Sequence, residues 1–155
     1  MRRRRADRRT ISPDPKFDNV KVQTFINHVL KRGKKSIASS MVYDAFDIIE
    51  EKSGKDPVEV FEQAIENSSP RMEVRPRRIG GATYQIPMEV PPHRQFALAT
   101  RWLLEAARSR SGVQFPERLA TELLSASNDE GSAVRKKEES HRMAKANRAF
   151  SHFRY

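Results

Sequence analysis

The side chains that most often carry chemistry are sparse in this 155-residue sequence and poorly spaced for it. Cysteine is absent, which removes thiol catalysis, disulfides and thiolate metal sites. His28, His93, His141 and His152 form no pair at metal-ligand spacing within one element, so surface or capping roles suit them better. "GKKS", Gly33 to Ser36, ends like a phosphate-binding loop but lacks the upstream glycine and follows a helix rather than a strand. It reads as a helix stop and a basic turn that leaves Lys34 and Lys35 open to phosphate. The acid pairs Glu50-Glu51 and Glu138-Glu139 fall on polar helix faces and imply no acid/base dyad. No nucleophile, base and orienting group assemble, so the expectation is a protein that is not an enzyme, with no cofactor, metal or small-molecule substrate.

What the sequence does supply is cation. Lys and Arg number 30 against 20 acids, a formal charge of +10, and Arg outnumbers Lys 20 to 10. A guanidinium forks onto phosphate and stacks on a base, so the excess favours nucleic acid over a lipid surface. The charge is uneven: +9 over residues 1–35, −6 over 36–70, +5 over 71–110 and +2 over 111–155. The acidic quarter is expected to face away from an anionic partner. Arg2, Arg3, Arg4, Arg5, Arg8 and Arg9 crowd the first residues beside Pro13 and Pro15. So apolar-poor a segment cannot offset its own ordering entropy, and residues 1–17 read as a basic arm that orders on a partner. No apolar run follows the first arginines and no stretch reaches membrane-spanning length, so the expected location is cytoplasmic.

Residues 18–155 read as one helical domain. Asp18 is the expected N-cap of a first helix carrying Val22, Phe25, Ile26, Val29 and Leu30 on one face, stopped by Gly33. Ser36 opens a second with Ile37, Met41, Ala45, Ile48 and Ile49 inward, ending at Gly54. "DPVE" opens a third: Asp56 caps, Pro57 takes the first helical position, Glu59 closes a capping box, and Phe61 and Ile65 point inward. A fourth helix starts at Pro91-Pro92 and buries Phe96, Ala99, Trp102, Leu103 and Ala106. The fifth, 116–127, repeats Leu119, Leu123 and Ala126; the sixth, about 133–152, repeats Met143, Ala146, Phe150 and Phe153. The fold class is therefore mainly α, a six-helix bundle with one extended two-stranded hairpin at about residues 71–90, between helices three and four.

That hairpin, "RMEVRPRRIGGATYQIPMEV", offers two registers. A two-residue Gly80-Gly81 turn pairs Arg75 with Ile86 and Arg77 with Tyr84, mixing charge and apolar groups on one face. A three-residue loop, Gly80 to Ala82, pairs Pro76 with Ile86 and Val74 with Met88, gathering the apolar residues on one face at the cost of setting Glu73 against Glu89. Face segregation favours the second. Pro76 and Pro87 cannot donate to a ladder, so neither strand sits inside a larger sheet. The tip, Arg77, Arg78, Ile79, Gly80, Gly81, Ala82 and Tyr84, is expected to reach beyond the helices.

Further bases stand on helices. Arg135, Lys136 and Lys137 crowd the first turn of the last helix, where the macrodipole prefers acids, so an external anion is the natural compensation. Arg142, Lys145, Arg148 and His152 follow on one face, and Arg94, Arg101 and Arg108 recur every seven residues in the fourth helix. With Arg75, these bases suggest a surface that grips phosphates from several sides. An architectural protein that bends DNA or packs it as chromatin would use the same features as an RNA binder, and a nucleic-acid enzyme ranks third.

The wording of the chain is more specific. "FINHVLKRGKKSIASSMVYDAFDII" (25–49), "PVEVFEQAIENSSPRMEVRPRRIGGATYQIPMEV" (57–90), "ALATRWLLEAAR" (97–108) and "KKEESHRMAKANRAFSHFRY" (136–155) closely resemble the bacterial small-subunit ribosomal protein seven family, in order and at family spacing. The resemblance implies six helices with an extended β-ribbon, primary binding to the 3′ major domain of 16S rRNA, and nucleation of the subunit head. It also implies a ribbon, here Arg75 to Gln85, beside the exit-site tRNA and the leaving mRNA, and contact with neighbouring small-subunit proteins including protein eleven. Some members repress their own message. Pro76, Pro116 and the ending Phe153-Arg154-Tyr155 depart from the family pattern, and Pro116 bears on where the fifth helix starts.

Overall fold

A computed structural model describes residues 3–153. Six α-helices carry the body: α1 Val20–Val29, α2 Lys35–Ser53, α3 Pro57–Ser68, α4 Pro92–Ser109, α5 Phe115–Ser127 and α6 Ser132–Ala146, followed by a 3-10 turn, Arg148–Phe153. Strands β1 Met72–Ile79 and β2 Ala82–Glu89 form the hairpin between α3 and α4, and it is the only sheet among the described residues. The expected mainly α fold with one ribbon is the observed one. No helix among the described residues is long and apolar enough to cross a membrane.

The core forms where α5 lies between α2, α3 and α4. Leu119, Ala120, Leu123 and Ala126 are the buried apolar positions of α5, and their three-and-four spacing makes one apolar face. Pro116 falls in its first turn, where a missing N–H costs nothing, so the departure from the family pattern is absorbed and the helix starts at Phe115. Asn67 of α3 donates through Nδ2 to the carbonyls of Ala126 and Ser127 (2.8 and 3.2 Å), closing the far end of α5. Phe25, Phe46 and Phe61 pack α1, α2 and α3 together, with ring centroids 5.1 Å (Phe25–Phe61) and 5.6 Å (Phe46–Phe61) apart.

Several expectations are corrected. Asn19, not Asp18, caps α1: Asp18 sits at φ +49, whereas Asn19 is extended and its side chain accepts from the N–H groups of Lys21 and Val22. Ser36 caps nothing, because α2 already begins at Lys35; its buried face is Ala38, Val42, Ala45, Phe46 and Ile49, a rotation that leaves Ile37 50% exposed. The periodic reading missed this because Ile37 and Met41 fit the same spacing a little further round the helix. The last helix stops at Ala146, so Phe150 and Phe153 belong to the 3-10 turn, and Met143 is 44% exposed.

The N-terminal segment joins the body earlier than residue 18. Asp14 is 1% exposed and accepts from the N–H groups of Lys16, Phe17 and Asn19, which folds the chain so that Phe17 meets Tyr43 and Phe46. Burial first, and then the Asp14 carboxylate, push the Tyr43 phenol above its ordinary pKa.

The ribbon takes the register that face segregation disfavoured. Arg75 lies opposite Ile86, Arg77 opposite Tyr84 and Ile79 opposite Ala82, with Gly80 and Gly81 as a two-residue turn at φ +58 and +87. Two positive φ angles give a turn whose twist matches that of the strands, which only glycine takes without strain. Turn geometry therefore outweighs the mixed face, and the mixture is resolved by pairing. Glu73 is 8% exposed and accepts from Arg75 Nε (2.9 Å), Arg94 Nε (2.8 Å) and Arg94 Nη2 (3.0 Å). It now faces Met88, so no like-charge pair arises. Burial alone would raise the Glu73 pKa, but the hydrogen bonds from Arg94 and Arg75 outweigh it and hold the carboxyl below its usual range.

The ribbon base is also tied to α6. Ser140 Oγ donates to the Met72 carbonyl (2.9 Å), and the Arg71 N–H donates to His141 Nε2 (2.9 Å). That second bond needs a neutral imidazole. Burial, with Lys137 and Arg71 nearby, lowers the His141 pKa. Below the ordinary histidine value of about 6.5 the unfolded chain takes up a proton that the folded chain resists, so stability falls as pH drops from about 7 towards 5. Urea unfolding at both ends of that range should show the loss in the wild type and less of it in His141→Gln, whose side-chain carbonyl still accepts; equal losses would remove His141 as the cause.

Candidate nucleic-acid interface

The expected binding residues divide by what holds them. Arg75 and Arg94 are engaged with Glu73. Arg77 donates through Nη1 to the Phe153 carbonyl (2.7 Å), and Tyr84 packs against Phe150 and Phe153 (centroids 5.2 and 5.8 Å), so the C-terminal 3-10 turn clasps the ribbon to within two residue pairs of its turn. Lys136 pairs with Glu105 and Lys137 with Asp129 (3.8 Å), which joins α6 to α4 and to its own entry loop. These two lysines, expected to await an external anion, have internal partners.

The remaining bases are exposed and have no ion-pair partner among the described residues: Arg3, Arg4, Arg5, Arg8 and Arg9 in the arm, Lys34 and Lys35 in the α1–α2 turn, Arg78 at the ribbon tip, Arg101 and Arg108 on α4, and Arg135 and Arg142 on α6. Arg2 lies outside the described residues, as do Arg154 and Tyr155. Of the tip, Ile79 and Tyr84 are half-buried, while Gly80, Gly81 and Ala82 are exposed.

Their placement is not scattered. Arg9 and Lys35 line one surface hollow. Lys31, Lys34 and Arg108 line another on the opposite flank of α2, and the consecutive Lys34 and Lys35 join the two around the start of that helix, so the arm, the α1–α2 turn and the end of α4 present a basic band that wraps it. Arg101 stands two turns back from Arg108 on α4. A third hollow pairs Arg110 and Arg135 with Asp129, Glu130 and Glu138, and its charge is mixed.

Helix ends follow the same division. Asn19 caps α1 and Asp56 caps α3 through side-chain hydrogen bonds. By contrast α2, α4 and α6 have neither a side-chain cap nor an acid in the first turn. Lys35 opens α2, Arg94 stands in the first turn of α4 and Arg135 in that of α6, each where the helix dipole disfavours a cation unless an anion joins it. Lys31 and Arg32 were not singled out from the sequence, although "KRGKK" (31–35) carried the signal. The turn itself, with Arg32 at φ +55 and Gly33 at φ +73, exposes all four of its bases.

Residues 1–148 match the model of the family described as ribosomal protein S7p/S5e. The chain belongs to that family. It is 57% identical over 155 residues, the whole of both chains, to a protein of Thermotoga maritima named small ribosomal subunit protein uS7. It is 53% identical over 154 residues to the protein of that name from Thermomicrobium roseum, and 55% identical over 154 residues to that of Teredinibacter turnerae, covering 99% of each chain in both cases. Family membership agrees with the resemblance carried by the quoted segments, and the S7p/S5e chain thus pairs a ribosomal family with an exposed band of unpaired cations.

Proposed function

We propose that this chain is a structural, RNA-binding component of the small ribosomal subunit. On this reading it is a primary binder of the 3′ major domain of 16S rRNA that nucleates assembly of the subunit head. Neighbouring small-subunit proteins, protein eleven among them, pack on its other faces, and its ribbon tip lies by the exit-site tRNA and mRNA. The observation that supports it most is the basic band of Arg9, Lys35, Lys34, Lys31 and Arg108, unpaired on a member of a ribosomal protein family. Phosphate contacts from several elements suit a folded RNA that must be oriented as well as held.

Crosslinking in cell lysate followed by sequencing of the attached nucleic acid tests this. Enrichment of small-subunit rRNA is expected; scattered genomic DNA without it would instead support a DNA-architectural protein.

The ribbon's division of labour gives a second test. Because Arg77 and Tyr84 are clasped by the 3-10 turn, the free tip is only Arg78 to Thr83. Deleting it and closing the strands with a short turn should leave incorporation into subunits near normal while exit-site tRNA occupancy falls. Collapse of incorporation would make the tip an rRNA anchor.

A further inference from the structure

Where α1 turns into α2, the surface carries an apolar recess of about 250 Å3 whose walls include Ile37, Met41 and Phe115. Lys31, Lys34 and Arg108 stand around it. None of the three has an ion-pair partner among the described residues. Ile37, half exposed in the first turn of α2, contributes little to the core from there. The Phe115 ring is held by Arg118, whose guanidinium lies 5.9 Å from its centroid. The recess is thus an apolar wall within a ring of cations drawn from the α1–α2 turn and α4.

Few ligands use both parts. A bare phosphate would leave the apolar wall unused, and an apolar peptide would gain nothing from three cations. A nucleotide whose base has left its stack offers a flat ring to the wall and a phosphate on each side to the rim. The recess is smaller than the roughly 300–1,000 Å3 taken by drug-sized ligands, which suits one ring system rather than a stacked pair. We infer that it holds a single unstacked base of the bound RNA, with Lys31, Lys34 and Arg108 on the flanking phosphates. This rests on the RNA-binding function proposed above and adds to it one place where the protein reads RNA through a base rather than through charge alone.

The test fills the recess without changing charge. Ile37→Trp occupies it from an exposed position, and Met41→Trp does so from within; melting curves confirm that each variant is folded. The probe is a transcript of the 3′ major domain of small-subunit rRNA, mapped with base-modifying reagents. Wild-type protein should protect one unpaired nucleotide that Ile37→Trp leaves reactive. Affinity should fall about tenfold with an unchanged salt slope, since one stacked base is lost and no phosphate contact. Lys31→Gln with Lys34→Gln should instead flatten the salt slope by about one to two units. If both tryptophan variants keep wild-type affinity and footprint, the recess holds no base, although RNA binding stands. If they bind RNA normally but are excluded from subunits, a neighbouring protein fills the recess and the inference fails. If wild-type protein does not bind the transcript, the proposed function fails instead.

Discussion

Phe61→Ala should lower the stability of the isolated chain by about 4 kcal/mol, the largest loss expected from any single side chain in this fold. Phe61 is fully buried on α3 and meets Phe25 of α1 edge-on and Phe46 of α2 at a tilt. Phe46 in turn meets Phe17, so the ring chain runs from the N-terminal segment through three helices. Truncation removes one ring's burial and also the partner of two others, and α5, packed on both α2 and α3, limits how far the site can collapse. For a chain of this length the melting temperature should drop by roughly 12 °C. Urea or thermal unfolding measures it, and a loss below about 1 kcal/mol would mean the three helices do not share one core.

Reversing the basic band should have the largest effect on binding. Lys34→Glu, Lys35→Glu and Arg108→Glu together are expected to weaken rRNA binding by at least ~1,000-fold, because charged hydrogen bonds of about 1.5–3 kcal/mol each are lost and repulsion is added. All three side chains are exposed and none is paired among the described residues, so the melting temperature should barely move. Lys35→Glu also places an acid in the first turn of α2, where the dipole favours it. The same reversals at Lys136 and Lys137 would be a poor test, since each removes a partner from Glu105 or Asp129 and confounds folding with binding. A loss under tenfold from the triple reversal would move the RNA site elsewhere on the molecule.

Helix count, the Asp56 cap with Pro57, the Gly54 stop and the α5 stripe were legible because each is a local signal of cap, breaker or period, and burial agreed with it. The ribbon register was not, because the choice depended on Glu73, and its partner Arg94 comes 21 residues later on another element. Alternation along the strands favoured one register, and the pairing of the buried Glu73 carboxylate with two half-exposed arginines permitted the other. The candidate site was legible as a set of basic stripes but not as a surface. Arg94 turned to Glu73, Lys136 and Lys137 found acids, and Lys31 joined Lys34 and Arg108 across two elements, all through tertiary contacts that spacing in sequence does not encode. The last helix was overextended because Phe150 and Phe153 keep helical spacing even in a 3-10 turn, where their packing on Tyr84 rather than on the core accounts for them.

The central claim, that an exposed basic band holds ribosomal RNA by its phosphates, is tested most directly by the salt dependence of wild-type binding to the 3′ major domain transcript, set beside duplex DNA of equal length. With five bases in the band engaged, log affinity should fall linearly with log salt at a slope near −4, and RNA should be held more tightly than DNA at every salt concentration. A slope near zero, or equal affinity for the two polymers throughout, would contradict it.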